Sequence, residues 1–396
     1  MSTSQRAVVG DASGGNRKRT LLKKHYLTEE VNRLLALYRQ VTDRPPTAGG
    51  AQHLLMKSSS LDFTSTNGTS TVTSFTDLPV CIKLYIFSML DADEICKLCA
   101  VCHEWNALAS DEVLWSRRLQ ECASGWRQVY YDRNPDSYKR VCAGMSSKAI
   151  YIRCRPVFRR PGSDGNGMRL ATLLHHFINI PSYRPRIVMF GPGLETKTSK
   201  IVRSILTDRC PNETARFKVT GMVRGEFAGV GSGISVQFGC HAFNLVTLYS
   251  NVKSVRQRLS AENRVRLNKL FVYEERESDE NMITEYYELS SSIRELCKHS
   301  SAFIFVVDAS QTKKEVSMAQ PELLAMTCEL WAPAGAPLVV LNGVRGSFAT
   351  QNPLSSMDVV RALRLDRLNR KWMVQSCDVE SLNGVRSGMR WLLGEI

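Results

Sequence analysis

The sequence lacks the long apolar runs and the leader segment that would direct it into or across a membrane. No uninterrupted stretch approaches the ~20 apolar residues of a membrane helix. The N-terminal residues MSTSQRAVVG have no apolar core that could serve as a signal peptide. We therefore predict no membrane contact and expect a cytoplasmic protein, with the nucleus as a second location. In such a compartment the 12 cysteines are predicted to be reduced, buried thiols.

Acidic residues are the minority among the charged residues. The chain has 38 Asp and Glu against 52 Lys and Arg, which gives a net charge of +14. This charge permits acidic partners without requiring them. Because aromatic and basic residues are not interleaved and no nucleic-acid motif occurs, we do not expect nucleic acid as a partner. The length of 396 residues and a hydrophobic content of 43% suit two or three globular domains.

The first 74 residues carry two candidate features. The basic cluster RKRTLLKKH (17–25) could act as a nuclear import signal, contact an acidic surface or form a solvated tail. The segment 27–41 has a helical apolar stripe and could dock on the rest of the protein or on a second copy, which leaves a homodimer open. Residues 42–74 are rich in Thr, Ser, Gly and Pro and are predicted to be a flexible linker.

Apolar runs and helical segments alternate in the second half of the chain, which predicts an α/β domain with a central, mainly parallel sheet. The strand candidates are RIVMF (186–190), ISVQF (234–238), FNLVTLY (243–249), FIFVV (303–307), PLVVL (337–341) and WMVQS (372–376). The helix candidates between them are 198–207, 255–272, 290–298 and 379–393. Residues 159–167 and 208–228 are predicted to be loops.

The segment GPGLETKTS (191–199) follows a predicted strand and precedes a predicted helix, as a phosphate-binding loop does. In the pattern G-x-x-x-x-G-K-[ST], Gly191, Lys197 and Thr198 are in register, but Thr196 replaces the second glycine. A β-branched residue is an outlier at the positive φ that such a loop requires there. The segment therefore resembles a vestigial phosphate loop.

Other small-GTPase motifs are degenerate. The position of D-x-x-G holds Tyr-Ser-Asn-Val (249–252), and the guanine motif N-K-x-D is replaced by Asn-Gly-Val-Arg (342–345). Asp308, after FIFVV, resembles an aspartate of Arf-like GTPases that does not contact the nucleotide. We predict a G-domain fold without catalytic residues, GTPase activity, metal or cofactor. A nucleotide-regulated switch or a scaffold protein stays open as the alternative function.

The segment 75–119 resembles an F-box. A Leu-Pro pair opens its first helix, AVCHEWNAL (100–108) fits the family's pattern around a tryptophan, and DEVLW (111–115) supplies the closing Leu-Trp pair. The resemblance implies binding to the Skp adaptor, which connects to a cullin scaffold and a RING subunit. Three short helices cannot bury all these apolar side chains alone, which also implies a partner. The residues predicted for the adaptor interface and the core together are Leu78, Pro79, Ile82, Ile86, Leu90, Ile95, Leu98 and Trp105.

The same segment contains C-x-x-C-x-x-C at Cys96, Cys99 and Cys102, followed by His103, which suggests a metal site. On a continuous helix, residue i+6 is rotated well away from residue i. Three thiolates could not converge on one ion without breaking that helix. We therefore predict ordinary apolar positions and no metal.

An F-box followed by a degenerate G domain resembles the F-box only protein 4 family. The segments that carry the resemblance are RIVMFGPGLE (186–195), GVGSGISVQF (229–238) and WMVQSCDVESLNGVRSGMRWLL (372–393). It implies a substrate-recognition subunit of an SCF-type ubiquitin ligase that commits substrates to proteasomal degradation. The predicted organisation is an N-terminal tail and helix (1–41), a linker (42–74), the F-box (75–120), a helical and loop connector (121–180) and an atypical small-GTPase-like substrate-binding domain (181–396).

The resemblance also implies that an exposed sheet edge captures the substrate by pairing with a strand of a telomere-repeat-binding factor. D-type cyclins are another substrate class linked with the family. The predicted edge strand lies within GVGSGISVQFG (229–239), where apolar and polar residues alternate. Its candidate substrate-binding residues are Gly233, Ile234, Ser235, Val236, Gln237 and Phe238. The alternative is an internal strand that is paired on both sides.

Overall fold

A computed structural model describes two compact units, which meet in sequence between Ala109 and Ser110. The described residues are 75–142, 144–156, 184–227, 230–251, 267–277, 283–346 and 353–396. The predicted basic cluster, the 27–41 helix, the linker and the 159–167 loop lie outside them. No helix in the described ranges combines the length and the apolar character needed to cross a bilayer.

The described part of the first unit, residues 75–109, is a trio of short helices. After a 3₁₀ turn at Phe75–Asp77, the helices are α1 (Val80–Ser88), α2 (Ala92–Leu98) and α3 (His103–Leu108). Proline precedes α1, where a missing backbone donor costs nothing. Helix α2 begins with a capping box, in which the Asp91 backbone amide donates to Glu94 Oε2 at 2.9 Å. Local sequence therefore sets the helix starts.

The second unit is built on a twisted sheet. Its strands are β1 (Gln128–Tyr130), β2 (Arg186–Phe190), β3 (Phe217–Val223), β4 (Gly233–Phe238), β5 (His241–Thr247), β6 (Phe271–Glu277), β7 (Ile283–Leu289), β8 (Ala302–Asp308), β9 (Leu338–Val344) and β10 (Trp372–Asp378). Among the described residues, eight strands form one sheet in the order β1-β10-β9-β8-β2-β5-β4-β3. The central five run parallel, and β1, β3 and β4 are antiparallel to their neighbours. The predicted mainly parallel sheet is confirmed.

Helices cover both faces of this sheet. They are α4 (Glu112–Ser124), α5 (Pro135–Val141), α6 (Ser147–Cys154), α7 (Lys200–Leu206), α8 (Ser291–Lys298), α9 (Lys313–Ser317), α10 (Gln320–Met326), α11 (Ser356–Ala362) and α12 (Val385–Glu395). Every residue of β8 is buried. Phe303 and Phe305 belong to the apolar cluster on one face, and Ile304 and Val306 to the cluster on the other. Burial on both faces explains the continuous apolar run FIFVV.

Several predicted boundaries differ from the structure. The predicted helix 255–272 overlaps β6, which pairs with β7 in a separate hairpin; residues 252–266 lie outside the described part. The predicted helix 379–393 begins only at Val385, because Gly384 at φ 86° ends a loop after β10. The predicted loop 208–228 contains β3, and the predicted connector 121–180 supplies β1 to the sheet.

The prediction that the cysteines are buried holds for only some of them. All 12 are free thiols, but only Cys154, Cys297 and Cys377 are fully buried, while others are exposed. Burial raises the pKa of Cys297 and Cys377 to about 12. These two thiols therefore behave as small apolar core residues.

Candidate functional site

Helix α1 is largely apolar, although only one part of its surface is buried. Its sequence is VCIKLYIFS. Ile86 and Phe87 are 8% and 2% exposed, whereas Val80 and Tyr85 are 56% and 47% exposed. A soluble helix normally carries polar residues on its outer side. Spaced as in a helix, Val80, Cys81, Leu84 and Tyr85 form an outward strip, which we call the outer stripe of α1.

The eight residues predicted for the adaptor interface and core divide into two groups. Leu78, Ile86 and Ile95 are buried and form the core of the helix trio. The half-buried group is Pro79, Ile82, Leu90, Leu98 and Trp105. The sequence analysis missed the exposed Val80 and Tyr85. The i, i+4 spacing of apolar residues on the second side of α1 could have revealed them.

Two contacts hold α1 against α3. The Trp105 ring packs against both Phe75 and Phe87, with ring centroids 5.0 and 5.8 Å away. Lys83 is almost fully buried, and its Nζ donates to Glu104 Oε1 at 2.5 Å. Because a buried ammonium must be paired, this contact orients α1 and with it the outer stripe.

The sequence argument placed the cysteine motif on one continuous helix, but in the structure the motif extends beyond the end of α2. Helix α2 ends at Leu98, and Cys102 adopts extended backbone at φ −157°. Cys99 Sγ lies 3.5 Å from the Ile95 carbonyl oxygen, and Cys102 Sγ accepts from the Trp105 amide at the start of α3. No group of metal-binding side chains occurs among the described residues. These thiols serve local backbone contacts.

The closing Leu-Trp pair of the F-box segment lies in the second unit. It belongs to α4, where Trp115 is fully buried and its ring lies 5.4 Å from that of Tyr151. At the start of α4, Glu112 accepts hydrogen bonds from the amide and the hydroxyl of Ser147. The predicted F-box segment therefore spans both units, and its last helix is part of the sheet unit.

The segment that resembles a phosphate loop is packed onto β8. Gly191 has φ 111°, and Pro192–Glu195 form a 3₁₀ helix in which Leu194 is fully buried. A Cβ on Gly193 would lie 2.7 Å from Val306 Cγ1. The Thr198 hydroxyl, which would hold Mg²⁺ in an active loop, is buried and donates to the Gly193 carbonyl oxygen at 2.6 Å. A backbone carbonyl of the loop itself thus satisfies the hydroxyl that an active loop would use for the metal.

The remaining motif positions are also engaged inside the protein or turned outward. Lys197 is exposed, and Thr196 has φ −109°, so it avoids the positive φ that an active loop would impose. Asp308 accepts from the amide and hydroxyl of Ser310. Asn342 donates to the Leu354 carbonyl oxygen at 2.7 Å. These side chains stabilise turns at the carboxyl ends of the strands.

The predicted edge strand is an inner strand. Strand β4 pairs with β3 on one side and with β5 on the other along Gly233–Phe238. Within it, Ser235, Val236 and Phe238 are buried, and a Cβ on Gly233 would lie 2.2 Å from the Leu245 carbonyl oxygen. Strand β3, in the segment predicted to be a loop, occupies the edge instead.

Edge strand β3 is exposed on both faces. Residues 218–222 are all exposed, with Met222 at 89% and Val219 at 37%. Its register against β4 shifts between Val219 and Gly221, which indicates a bulge. Because β4 is its one partner among the described residues, the other side of β3 offers unpaired backbone groups.

Known proteins match the chain in the same two regions. The F-box-like family model matches residues 75–121, and the ADP-ribosylation factor family model matches residues 288–396. The chain is 29% identical to F-box only protein 4 of Bos taurus and 28% identical to that of Homo sapiens. Each similarity covers 337 residues, 82% of this chain and 84% of the relative. The chain is also 32% identical over 89 residues to the Probable E3 ubiquitin ligase complex SCF subunit sconB of Arthroderma benhamiae. This similarity covers 20% of this chain and 13% of the relative. The resemblance to F-box only protein 4 is confirmed.

Proposed function

We propose that this protein is the substrate-recognition subunit of an SCF-type cullin–RING ubiquitin ligase. The outer stripe of α1 is the observation that carries the proposal, because exposed apolar side chains on a small helical unit favour a permanent partner. The SCF subunit among the similar proteins supports the same role. The stripe would bind the Skp adaptor, and through it the cullin scaffold and the RING subunit.

The adaptor contact is tested best on exposed residues. We expect Val80→Asp combined with Tyr85→Asp to weaken binding to purified Skp adaptor at least about 30-fold, as loss of an interface hot spot does. Ala100→Asp combined with Ala107→Asp places the same two charges on exposed positions outside α1 and is the matched control. Leu78→Ala is a poor test, since Leu78 is buried and its loss would unfold the unit. Unchanged adaptor binding by a folded double variant would refute the proposal.

The second part of the proposal is that the GTPase-like domain binds no nucleotide and performs no catalysis. Packing of the loop onto β8 and the internal bond of Thr198 support it. The alternative function, a nucleotide-regulated switch or scaffold, requires a loop that can open to accept phosphates. Titration of the chain with fluorescent GTP and GDP in the presence of Mg²⁺ separates the two. Saturable binding that disappears in Lys197→Ala would favour the switch.

The third part concerns substrate capture. We place it at the exposed edge of β3, where an extended segment of the substrate can add as a further strand. Val219→Lys with Met222→Lys should weaken capture, because charged side chains block strand addition. A telomere-repeat-binding factor and a D-type cyclin are the substrates to assay, followed by their ubiquitination and proteasomal degradation. Equal capture by wild type and variant would exclude this edge.

The location of the protein and its oligomeric state are also proposals. We propose a cytoplasmic protein that also enters the nucleus through the basic cluster 17–25. Fluorescence of a tagged chain, with and without the cluster, tests this. A homodimer through the segment 27–41 would be lost when that segment is deleted, which analytical ultracentrifugation would detect.

A further inference from the structure

A cavity of about 710 Å³ opens in the second unit beside the first residues of β3. Its walls come from three places that are distant in sequence: the start of β3, the turn between β4 and β5, and the last turns of α12. The floor is apolar and consists of Phe238 and Leu393, which are 3% and 7% exposed. The Phe238 ring is stacked on Phe217 at 4.6 Å, which fixes the floor in place.

The polar side chains around the cavity are predominantly basic. Arg216 and Lys218 come from β3 and the residue before it, His241 from β5, and Arg390 from α12. No carboxylate belongs to the lining among the described residues. The nearby Asp208 carboxylate is already paired with Arg386 at 2.8 Å and does not neutralise them.

The positive charges of these basic side chains are not neutralised by acidic side chains of the described cavity lining. Arg216 donates through Nε to the Asp208 carbonyl oxygen at 3.1 Å, a neutral acceptor. Within the described residues, the side chains of Lys218, His241 and Arg390 make no hydrogen bond or ion pair. Like charges that converge on one cavity repel each other, and an anion between them would relieve that repulsion. The cavity is therefore suited to an anionic ligand.

We propose that this cavity binds the carboxylate side chains of an acidic segment of the captured protein. The inference rests on the proposed substrate-receptor function and deepens it. Lys218 belongs both to the cavity wall and to edge strand β3. A segment that pairs with β3 would therefore run past the cavity mouth, and its side chains at alternate positions would reach the basic groups.

The observations favour a protein segment over a nucleic acid. Single-stranded nucleic acid is usually held by open aromatic faces on which bases stack. The ring of Phe238 is covered by Phe217 and leaves no such face in the cavity. The basic groups surround one cavity instead of following a continuous groove. Two guanidinium groups at one site suit carboxylates well, because each can bind one through two parallel hydrogen bonds.

The test uses the full chain and a fluorescein-labelled oligoglutamate peptide. Its anisotropy is compared with that of an oligoglutamine peptide of equal length. Lys218→Gln with Arg390→Gln removes two cavity charges, and Lys314→Gln with Arg367→Gln removes two exposed charges elsewhere. Since one exposed ion pair changes an equilibrium by up to about fivefold, we expect the cavity variant to bind oligoglutamate on the order of tenfold more weakly. The control variant should match wild type.

The possible results lead to different conclusions. Equal weakening in both variants would mean that only net charge attracts the peptide, and would overturn the inference. So would an absence of oligoglutamate binding, or tighter binding of an oligothymidylate that the cavity variant loses. Thermal midpoints confirm that each variant is folded. Adaptor binding is measured on the same samples. If the wild-type protein binds the adaptor but not the peptide, only the cavity inference is wrong. If the wild-type protein does not bind the adaptor, the proposed function is wrong.

Discussion

Replacing Trp115 by alanine should destabilise the sheet unit, even though Trp115 lies in the segment that matches the F-box-like family. Its side chain is fully buried in α4, beside Tyr151 of α6. A buried tryptophan covers about 200 Å². At ~25 cal/mol per Å² this corresponds to about 5 kcal/mol, an upper bound. Tryptophan truncations in cores cost about 3–5 kcal/mol, and we expect a loss in that range.

The assay must report on the sheet unit by itself. Hydrogen exchange followed by mass spectrometry resolves the amides of β8, β9 and β10, which exchange only when this unit opens. Val113→Ala is the matched control, because Val113 lies on the same helix and is 77% exposed. Val113→Ala should change the free energy of unfolding of the sheet unit by no more than about 0.5 kcal/mol.

The assignment of α4 to the sheet unit fails under either of two results. In the first, Trp115→Ala accelerates exchange in the strands no more than Val113→Ala does. In the second, its destabilisation is confined to α1, α2 and α3 while the strands keep their protection. In both cases the last helix of the F-box segment would belong energetically with the first unit.

Further predictions concern the loop, the helix trio and the turn after β10. Gly193→Ala should lower the free energy of unfolding by about 1–3 kcal/mol in urea titrations, because its Cβ would collide with β8; the exposed Lys197→Ala should leave it unchanged. Glu104→Gln should destabilise the first unit by about 1–3 kcal/mol by hydrogen exchange, since buried Lys83 loses its charged partner; a neutral result would show that this pair is dispensable. Burial raises the pKa of Asp378, but hydrogen bonds from a hydroxyl and backbone amides outweigh it and hold the pKa below 3.8. The ionised carboxylate therefore stabilises the fold at pH values above its pKa in the unfolded chain, and this stabilisation is lost as the pH falls through its pKa in the folded protein. We expect Asp378→Asn to lower the free energy of unfolding in urea titrations at neutral pH, and to lower it less in acid. A deficit independent of pH would contradict this.

The buried centre of the sheet could be predicted from the sequence, and its periphery could not. Strands β2, β8 and β10 lie within two residues of their predicted ends, and β9 lies within three. They are buried on both faces, and this burial requires the unbroken apolar runs that reveal them. Strand β3 reads FKVTGMV and β1 only QVY. An exposed edge needs no alternation of apolar and polar residues, and three residues are too few to show it.

The position of a strand within the sheet is a different kind of information. Ile234, Val236 and Phe238 alternate with polar residues whether β4 lies at an edge or between two neighbours. The pattern records which face of β4 is buried, not whether its backbone is paired on one side or two. The sequence therefore identified the strand correctly but placed it at the wrong position. Only knowledge of β3 could have corrected this.

The candidate adaptor site shows the same limit. Apolar spacing identified the residues of the helix trio, but it could not separate core from surface on a helix with apolar residues on both its buried and its exposed parts. Leu78, Ile86 and Ile95 entered the core, while Val80 and Tyr85 stayed exposed. The assignment depends on which side of α1 faces Trp105 and Glu104, and both of these residues belong to another helix, α3.

The two edges of the sheet are closed to different degrees, and this difference favours one of them for capture. Strand β1 follows α4 directly and pairs with β10, so the chain covers one edge with a strand of three residues as it enters the unit. Short edge strands are one way in which proteins prevent further pairing. At the opposite edge, β3 is seven residues long, has exposed apolar side chains, and begins beside the basic cavity. A protein captured there lies at the edge farthest from the point where the chain enters the sheet.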